Sequence, residues 1–325
     1  MGARRLLISM ASLTLLVGAI GCSGNAQIDK TQTQAQQEGK WTTFHVDDGL
    51  ANDAIYTIFR DTRGDMWFGT FAGLSRYDGK TWQTFTTGDG LSSDLVNAIA
   101  QDRDGNMWFA TMSGLSRYDG KMWETFSRDV QSDNFGSAIC DSEDVMWFGD
   151  RNSGVSRYDG SRWQAITTKD GLPDNAVLAV AQDALGNMWF GTRSGLSQYD
   201  GNTWRTFTRN DGLPDNAVRA IMQDVSGNLW FGTRQGVTEY DGNTWKTFDT
   251  SSGLGDNKVY AVFQDAHGIV WVGTGNGLSR YDGQTWETLT VNDGLAGNFI
   301  TAIAGDSSGD MWVGTLTGLS RYSFQ

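Results

Sequence analysis

Cysteine and histidine are both scarce in this chain of 325 residues, with two of each. The two histidines, His45 and His267, belong to no Ser-His-Asp set and to no His/Cys spacing that would hold a metal. A glycine loop able to cradle phosphate is also missing. The sequence therefore predicts no cofactor, no metal site and no catalytic constellation, and it favours a binding protein over an enzyme.

Positive charge is in short supply as well. The chain has 25 lysines and arginines against 38 aspartates and glutamates, which gives a net charge of −13 and a pI near 4.5. Nucleic-acid binding relies on clustered cations that displace counterions from phosphates, so no nucleic-acid partner is expected. The acidity suits a secreted domain that must stay soluble.

Long apolar runs are limited to one segment, Leu6 to Ile20, which is too short for a comfortable membrane span. A basic stretch precedes it and Ala19-Ile20-Gly21-Cys22 ends it, which indicates a secretory signal peptide over residues 1–21. These last four residues resemble a bacterial lipobox, with Ala19 where that motif usually has leucine. The resemblance makes Cys22 the lipidated first residue of the mature protein.

Residues 22–40 are predicted to form a flexible tether, because Ser23 to Lys40 is polar, rich in Gln, Thr and Ser, and without an apolar period. Lipid chains on Cys22 would hold the protein on a membrane surface without crossing it. The predicted location is extracytoplasmic, as a membrane-anchored bacterial lipoprotein in the periplasm or at the outer membrane. Cys140 would then be a lone, small apolar residue, and a Cys22–Cys140 disulfide is the alternative.

A seven-fold repeat of about forty residues fills the rest of the chain from Trp41 onward. Each unit carries the elements W-x-T-F, D-G-L, a short apolar run, D-x-x-G-x-x-W-F-G-T and G-L-S-R-Y-D-G. This period, with several short strands per unit, is typical of a β-propeller. We therefore predict an all-β fold for residues 41–325, a seven-bladed β-propeller of four-stranded blades. The tryptophans that recur in the units are Trp41, Trp82, Trp123, Trp163, Trp204, Trp245 and Trp286, followed by Trp67, Trp108, Trp147, Trp189, Trp230, Trp271 and Trp312.

Asp-Gly pairs between strand-like runs predict hairpins, because a type I′ turn needs positive φ at both central residues. Six such pairs, beginning with Asp78-Gly79, join a G-L-S-R-Y strand to a W-x-T-F strand. In the first blade the predicted strands are 55–59, 66–70, 74–77 and 81–85. The seventh pair is missing because the sequence stops at Gln325, so the last blade needs an outer strand from elsewhere. We predict that residues 41–45 supply it by pairing with 319–322, which joins the two ends of the chain.

Side chains shared by all units, such as Met66, Trp67 and Phe68, are predicted to pack between blades. The Asp-x-x-Gly turns, such as Asp61 to Gly64, fit Asx turns, which need only one Asp or Asn and a glycine. Calcium binding is the alternative, but the alternating oxygen ligands of a calcium loop are missing.

The string D-x-x-G-x-x-W-F-G-T-x-x-G-L-S-R-Y-D, seen at 61–78 and in close form at 183–200, resembles the two-component regulator propeller repeat. The resemblance covers residues 41–325. In that family such repeats form the extracytoplasmic sensor part of bacterial hybrid histidine kinases and are thought to bind oligosaccharides or related ligands. Those sensors usually carry two propellers and further domains, whereas this sequence has one propeller. We therefore expect that this chain does not signal by itself.

Positions that differ between units while their neighbours stay fixed are free to build an asymmetric site. One such position lies in the G-T-x-x-G turn between the second and third strands, where three successive units offer Arg151, Arg193 and Arg234. Such a cluster suits a carboxylate, sulfate or phosphate group. Three solvated turn residues are the alternative interpretation. The other units have Phe71, Met112, Gly275-Asn276 and Leu316.

A second variable position lies near the start of the inner strand, on what we expect to be the same face of the disc. Tyr56 and Tyr260, together with Phe71, could stack on sugar rings, and Asn97 and Arg219 add polar groups; buried packing is the alternative. The third unit departs most from the pattern, at Asp129-Val130-Gln131, at Asp141 to Val145 and in a longer arginine turn. It marks either the rim of a site or a decayed repeat. The corresponding residues are Tyr56, Asn97, Ser137, Leu178, Arg219, Tyr260 and Thr301.

The predicted function is that of a lipid-anchored, extracytoplasmic, monomeric propeller that binds an oligosaccharide or an anionic ligand. An interaction scaffold for an envelope protein is the first alternative, and a lyase-type or hydrolase-type propeller enzyme is the second. Streptogramin lyases are also seven-bladed, but neither histidine is expected on the face of the arginines, as their chemistry would require. A carboxylate pair across the centre of the ring is left open.

Overall fold

The computed structural model describes residues 39–126 and 134–324, which fold into seven four-stranded antiparallel sheets. The first strands of successive sheets contact one another in a closed circle, so the sheets are blades around a common axis. The predicted seven-bladed propeller is confirmed. In chain order the strands are β1 (Lys40–Phe44), which belongs to blade 7; β2 (Ile55–Arg60), β3 (Met66–Thr70), β4 (Gly73–Tyr77) and β5 (Trp82–Phe85) in blade 1; β6 (Val96–Gln101), β7 (Met107–Thr111), β8 (Gly114–Tyr118) and β9 (Trp123–Phe126) in blade 2; β10 (Phe135–Cys140), β11 (Met146–Asp150), β12 (Gly154–Tyr158) and β13 (Trp163–Ile166) in blade 3; β14 (Val177–Gln182), β15 (Met188–Thr192), β16 (Leu196–Tyr199) and β17 (Trp204–Phe207) in blade 4; β18 (Ala220–Gln223), β19 (Leu229–Gly232), β20 (Val237–Tyr240) and β21 (Trp245–Phe248) in blade 5; β22 (Val259–Gln264), β23 (Val270–Thr274), β24 (Gly277–Tyr281) and β25 (Trp286–Leu289) in blade 6; and β26 (Ile300–Gly305), β27 (Met311–Thr315) and β28 (Leu319–Ser323) in blade 7.

Short 3₁₀ turns at Val46–Asp48, Thr250–Ser252 and Val291–Asp293 lie in loops between blades. In the part of the chain that the structure describes, no helix has the length and apolar character needed to cross a membrane. The predicted signal peptide, Cys22, the tether up to residue 38 and the irregular loop at Asp129-Val130-Gln131 lie outside the described residues.

The second strand of each blade is buried because it is covered by the neighbouring blades on both sides. In blade 1 every residue of β3 is buried. The Trp67 ring stacks on Phe85 of its own blade at 5.7 Å between ring centroids and meets Phe109 of blade 2 at 5.6 Å. The predicted packing of aromatic residues between blades is confirmed. Truncating one of these rings to alanine should cost about 3–5 kcal/mol of stability.

The Asp-x-x-Gly turns hold the buried tryptophans by hydrogen bonds. In blade 1, Asp61 Oδ1 accepts the backbone N–H groups of Arg63 and Asp65, and Asp61 Oδ2 accepts the indole N–H of Trp67, all at 2.9 Å. The same bond from tryptophan to aspartate recurs in all seven blades at 2.7–3.0 Å. These turns are therefore Asx turns, as predicted. No group of three or more His, Cys, Asp or Glu residues is placed to hold a metal ion within the described residues.

Blade 3 keeps this turn although its sequence departs from the pattern. Asp141 Oδ2 accepts the indole N–H of Trp147 at 2.7 Å, and Asp144 adopts the left-handed conformation, with φ of 67°, that a glycine holds in the other blades. Cys140 is a free cysteine whose thiol lies 3.4 Å from Asp144 Oδ1. Burial, with the nearby carboxylates, raises the pKa of the Cys140 thiol. A raised pKa reduces the fraction of the reactive thiolate at neutral pH.

The Asp-Gly pairs do form hairpins, but the predicted type I′ turn is wrong. Gly79 has positive φ (92°), whereas Asp78 does not. Tyr77 pairs with Trp82, so the loop has four residues, and Asp78 Oδ1 accepts the backbone N–H groups of Lys80 and Thr81 at 2.8 and 2.7 Å. The aspartate recurs because its carboxylate closes the loop, and not because its backbone is left-handed.

The N-terminal strand closes the ring as predicted. β1 pairs antiparallel with β28, with Trp41 opposite Tyr322 and Phe44 opposite Leu319. The strand runs from Lys40 to Phe44, so both its ends lie one residue before those predicted. The two chain ends are further joined by the Trp41 and Tyr322 rings, whose centroids lie 4.8 Å apart.

Candidate ligand-binding face

The turn between the second and third strands lies at the same end of the ring as the start of the inner strand. In blade 1 the backbone N–H of Phe71, in this turn, donates to the carbonyl of Ala54, just before β2, at 3.1 Å. The two variable positions of the repeat thus share one face, as expected. We call the end of the ring that carries Arg151, Arg193 and Arg234 the arginine face. Bonds equivalent to that of Phe71 are donated by Met112, Arg151, Arg193 and Gly275.

The turn has the same construction in six blades. A threonine hydroxyl donates to the carbonyl of the glycine three residues later at 2.7–2.9 Å, as between Thr70 and Gly73. In blade 3 Asp150 takes the place of the threonine, and its Oδ1 accepts the backbone N–H groups of Asn152 and Ser153 at 2.7 Å. The residue after the threonine or aspartate therefore holds an equivalent place in each blade. From blade 1 to blade 7 these residues are Phe71, Met112, Arg151, Arg193, Arg234, Gly275 and Leu316.

The second variable position is a β-bulge at the start of the inner strand. The register shift between Ile55 and Thr57 leaves Tyr56 without a partner in β3, and bulges of this kind redirect a side chain. In blade 3 the bulged residue is Gly136, so the predicted assignment of Ser137 to this position is wrong by one residue. The sequence before β10 departs from the repeat pattern, so the residues of β10 could not be aligned with those of the other inner strands. The bulged residues of the other blades are Asn97, Leu178, Tyr260 and Thr301, and Arg219 follows the equivalent buried Val218 in blade 5.

Arg151 fills the space that Gly136 leaves. A Cβ placed on Gly136 would lie 2.6 Å from Arg151 Nε, so a larger residue at Gly136 would displace the guanidinium. Desolvation lowers the pKa of Arg151. The Tyr56 hydroxyl and the Asp150 carboxylate oppose this effect, and the positive charges of Arg193 and Arg219 add to it. Such charge interactions require proximity. Tyr56 of blade 1, Arg193 of blade 4 and Arg219 of blade 5 are therefore near enough to Arg151 for their charges to act on it.

Arg219 and Tyr260 lie side by side on adjoining blades. The guanidinium carbon of Arg219 is 5.1 Å from the centroid of the Tyr260 ring, a cation–π distance. The Tyr260 ring packs on Phe299, just before the inner strand of blade 7, with centroids 4.6 Å apart. Phe299 was missed by comparing the units, because a contact between blades leaves no signal in the spacing of residues along one blade.

Asn97 is less available to a ligand than the other predicted residues. Its side chain is 8% exposed, and its Nδ2–H donates to the carbonyl of Phe135 in blade 3 at 2.9 Å. Thr301 makes the equivalent bond, from its hydroxyl to the carbonyl of Ile55 in blade 1, at 2.6 Å. These two bulged residues join neighbouring inner strands. Phe71, in contrast, is 56% exposed.

The arginines of the arginine face lack the carboxylate partners that other arginines of the repeat have. Arg117 pairs with Glu124 at 2.8 Å, and Arg321 pairs with Asp310 at 2.6 Å. Asp150, next to Arg151 in the chain, instead uses its carboxylate on backbone N–H groups. Among residues 39–126 and 134–324, no ion pair and no side-chain hydrogen bond is made by Arg151, Arg193, Arg219 or Arg234.

His45 borders the arginine face, so the expectation that neither histidine lies there is wrong. A Cβ placed on Gly318, at the end of the blade 7 turn, would lie 2.7 Å from the His45 imidazole. His45 Nδ1 is 3.7 Å from Asp53 Oδ1. His267, in the turn between β22 and β23, packs on the Phe324 ring at 5.0 Å on the opposite face, as expected. A catalytic triad needs a nucleophile as well as a histidine and a carboxylate, and no nucleophile is hydrogen-bonded to His45 in the described chain.

A polar cleft of about 690 Å³ opens between blades 3 and 4. Ile166 lines it at a position where blades 1 and 2 have Phe85 and Phe126, and the smaller side chain leaves room beside Trp147. The cleft does not include the turn arginines of the arginine face. Its charged lining residues are Asp141, Glu143, Asp170, Asp200 and Arg157, a set that disfavours an anion.

A family model described as two component regulator propeller matches the repeats of six blades and leaves out the irregular blade 3. The matched residues are 49–72, 90–113, 171–194, 212–235, 253–276 and 294–317. The chain belongs to the two-component regulator propeller family. Each match runs from the D-G-L loop to the turn of the arginine face, so the family pattern includes the backbone of this turn. Among curated protein sequences, none matches this two-component regulator propeller.

Solved structures share the fold at low sequence identity. The extracellular domain assigned to a hybrid two-component system of B. thetaiotaomicron has a TM-score of 0.77 and 20% identity. The match covers 88% of this chain and only 42% of the B. thetaiotaomicron chain. Virginiamycin B lyase from Staphylococcus aureus has a TM-score of 0.71 and 13% identity, covering 89% of this chain and 100% of the lyase chain. YCF48 bound to D1 peptide has a TM-score of 0.67 and 15% identity, covering 88% of this chain and 97% of the YCF48 chain. These similarities concern the fold alone.

Proposed function

We propose that this two-component regulator propeller binds an anionic ligand at the arginine face, outside the cytoplasm. The observation that carries the proposal is that Arg151, Arg193 and Arg234 hold corresponding turn positions on three adjacent blades, without an ion pair to a carboxylate, in a protein with a net charge of −13. Like charges held together repel one another, and an anion between them would relieve this repulsion. The planar guanidinium groups suit carboxylate, sulfate and phosphate oxygens.

Acidic oligosaccharides are one class of ligand with such groups. Tyr56, Tyr260 and Phe71 lie on the same face and supply aromatic rings on which a sugar ring could stack. A polypeptide is the second class, and the solved complex of YCF48 with the D1 peptide supports it as a ligand of this fold. The extracellular two-component domain of similar fold supports a location outside the cytoplasm.

An enzymatic function has less support. The virginiamycin B lyase shares the fold, and His45 borders the arginine face, but His45 lies beside the turn of blade 7 whereas the arginines lie on blades 3 to 5. A lyase reaction at the arginine face is therefore not proposed.

A lipid anchor at Cys22 completes the proposal, because it would keep the propeller on a membrane surface. Replacing Cys22 by Ser should move the protein from the membrane fraction to the soluble periplasmic fraction. A variant that remains in the membrane fraction would show that Cys22 is not the anchor. Replacing Cys140 by Ser serves as the control and should leave the distribution unchanged.

The ligand proposal is tested by titrating sulfated oligosaccharides, uronic-acid oligosaccharides and short polyglutamate against the purified propeller, with neutral oligosaccharides of equal length for comparison. We expect at least one anionic probe to bind, with an affinity that falls as salt is raised. A triple change of Arg151, Arg193 and Arg234 to Gln should weaken this binding at least tenfold.

The matched control removes three exposed arginines from the opposite face, Arg63, Arg103 and Arg162, and so changes the net charge equally. It should bind the probe as the unchanged protein does. Equal loss of binding in both triple variants would mean that only net charge matters, and binding unaffected by either would place the anion elsewhere.

A further inference from the structure

The arginine face also carries exposed apolar side chains, on the blades that have no arginine there. Leu316, Phe71 and Met112 hold the equivalent turn position on the adjacent blades 7, 1 and 2, and they are 39%, 56% and 54% exposed. We call these three residues the apolar arc and Arg151, Arg193 and Arg234, on blades 3, 4 and 5, the cationic arc. Blade 6 contributes Gly275 between them.

Two further residues extend the apolar arc toward the rim. Val46 and Val291 lie in the loops that lead into the inner strands of blades 1 and 7, and they are 49% and 48% exposed. Leaving several large apolar side chains in water on one side of a face is typical of an interaction surface. The other exposed large apolar residues of the described chain, Met122, Leu185 and Val225, lie in turns of the opposite face.

We propose that the ligand of the arginine face is a segment of another protein that is acidic at one end and apolar at the other. The acidic end lies on the cationic arc and the apolar end lies on the apolar arc. This inference rests on the proposed function, since it assigns the anionic ligand to a class.

The division of the face into two arcs carries the inference. Six of the seven turns have the same construction, so between Phe71, Met112 and Leu316 on one side and Arg193 and Arg234 on the other the change from apolar to cationic side chains is a property of sequence and not of local backbone geometry. In blade 3 the turn is closed by Asp150, and Arg151 follows it in the chain. An acidic segment is repelled by most of a protein with a net charge of −13 and attracted by the cationic arc. Charge would thus fix which end of the segment lies on which side of the ring.

The middles of the two arcs, Phe71 on blade 1 and Arg193 on blade 4, lie on opposite sides of the ring, whereas Met112 and Arg151 lie on neighbouring blades. Neighbouring strands lie about 4.8 Å apart, so a turn between the second and third strands lies roughly 7 Å outward from the inner strand. Residues on opposite sides of the ring are then separated by roughly 14 Å plus the width of the centre. An extended chain covers about 3.3 Å per residue, so a segment that reaches from Phe71 to Arg193 across the ring needs at least five or six residues.

The chemistry of the apolar arc favours a polypeptide over a sugar chain. Phe71 could stack on a sugar ring, but Leu316 and Met112 have neither a flat π face nor a hydrogen-bonding group. Sugar hydroxyls held against them would lose water without gaining a partner. Apolar side chains of a peptide would gain by the same burial, and methionine adapts readily to varied partners.

The test selects binders from a random twelve-residue peptide display library on the purified propeller. We expect enriched peptides with a block of Asp and Glu and a separate block of apolar residues, in one fixed order. Synthetic copies should bind with an affinity that falls at least tenfold when Arg151, Arg193 and Arg234 are changed to Gln. An equal loss is expected when Phe71, Met112 and Leu316 are changed to Ser.

The control changes Met122, Leu185 and Val225 to Ser on the opposite face and should leave peptide binding unchanged. Thermal melts of all variants check that the fold is intact, which is expected because every changed residue is exposed. The inference would be overturned if no peptide is enriched, if the enriched peptides lack the two blocks, or if binding is unchanged when Phe71, Met112 and Leu316 are changed to Ser. If an acidic oligosaccharide binds and depends on the arginines alone, the proposed function stands and this inference falls.

Discussion

At the scale of single residues, the repeated aspartates have two different structural roles, and the residue type alone does not distinguish them. Asp61 and its counterparts accept the indole N–H of a buried tryptophan, whereas Asp78 and its counterparts accept backbone N–H groups in an exposed loop. The first set contributes to the core because a buried donor without an acceptor is costly. The second set acts through its charge, and so its contribution depends on pH.

Asp183 illustrates the first role. Changing Asp183 to Ala removes the acceptor for the Trp189 indole and for the backbone N–H groups of Leu185 and Asn187. Each buried donor left unpaired costs about 1–3 kcal/mol, so the free energy of unfolding should fall by at least that amount. Denaturant unfolding measures the change. Leu185 is 87% exposed in the same turn, and its change to Ala should cost less than about 0.5 kcal/mol. Equal unfolding midpoints for the two variants would show that the indole bond contributes nothing.

Two residues show where reasoning from the sequence reaches its limit at this scale. The three turn arginines were visible, because each stands in a fixed pattern at a position that varies. The role of Gly136 was not, because its importance lies in the side chain it lacks and in the Arg151 guanidinium that lies over it. Asp144 was likewise seen as a departure, although it preserves the turn by adopting positive φ.

At the scale of elements, the outer hairpins of blades 1 to 6 are closed by carboxylates. Hydrogen bonds from the loop backbone lower the pKa of the aspartates at 78, 119, 159, 200, 241 and 282. A hairpin position was predictable from Asp-Gly between two strand patterns. The loop type was not, because a four-residue Asx-type loop and a two-residue type I′ turn use the same two residues.

The hairpin of blade 3 provides a pH-dependent test. Hydrogen bonds from the Arg162 backbone and the Ser161 side chain lower the pKa of Asp159 to about 2, from an ordinary value of 3.8. As pH falls, the unfolded chain takes up the proton first, so the stability from this carboxylate is complete above about pH 4 and lost toward pH 2. Changing Asp159 to Asn keeps an acceptor oxygen but removes the charge. The variant should unfold more easily than the unchanged protein at pH 6, and this difference should vanish near pH 2. A difference that stays constant across this range would contradict the assignment.

At the scale of the whole molecule, the number of blades and the closure by β1 were predictable because both follow from counting units. A unit count can also locate the strand that has no blade of its own. What counting could not show is how the blades contact one another around the axis. The Arg219–Tyr260–Phe299 contacts and the bonds of Asn97 and Thr301 to the next blade join units that the sequence presents as separate.

The closure by β1 predicts at which places the ring can be opened with the least loss of stability. In the other blades four residues join the third strand to the fourth, as between Tyr77 and Trp82, and Tyr322 faces Trp41 in the same way. Joining Tyr322 to Trp41 through Asp-Gly-Lys-Thr, copied from residues 78–81, should therefore convert the closure into an ordinary hairpin. New ends can then be made elsewhere in two permuted chains of identical composition.

The first permuted chain opens between Gly120 and Lys121, inside the hairpin of blade 2, so that one blade is again completed by both ends. The second opens between Arg209 and Asn210, in the loop between blades 4 and 5, so that no strand pairing joins the ends. A four-residue strand makes several backbone hydrogen bonds worth about 1 kcal/mol each, so the second chain should be less stable by roughly 2–5 kcal/mol. Denaturant unfolding of both chains beside the unpermuted protein measures this difference. Equal stability of the two chains would mean that packing between blades, and not the shared sheet of blade 7, holds the ring closed.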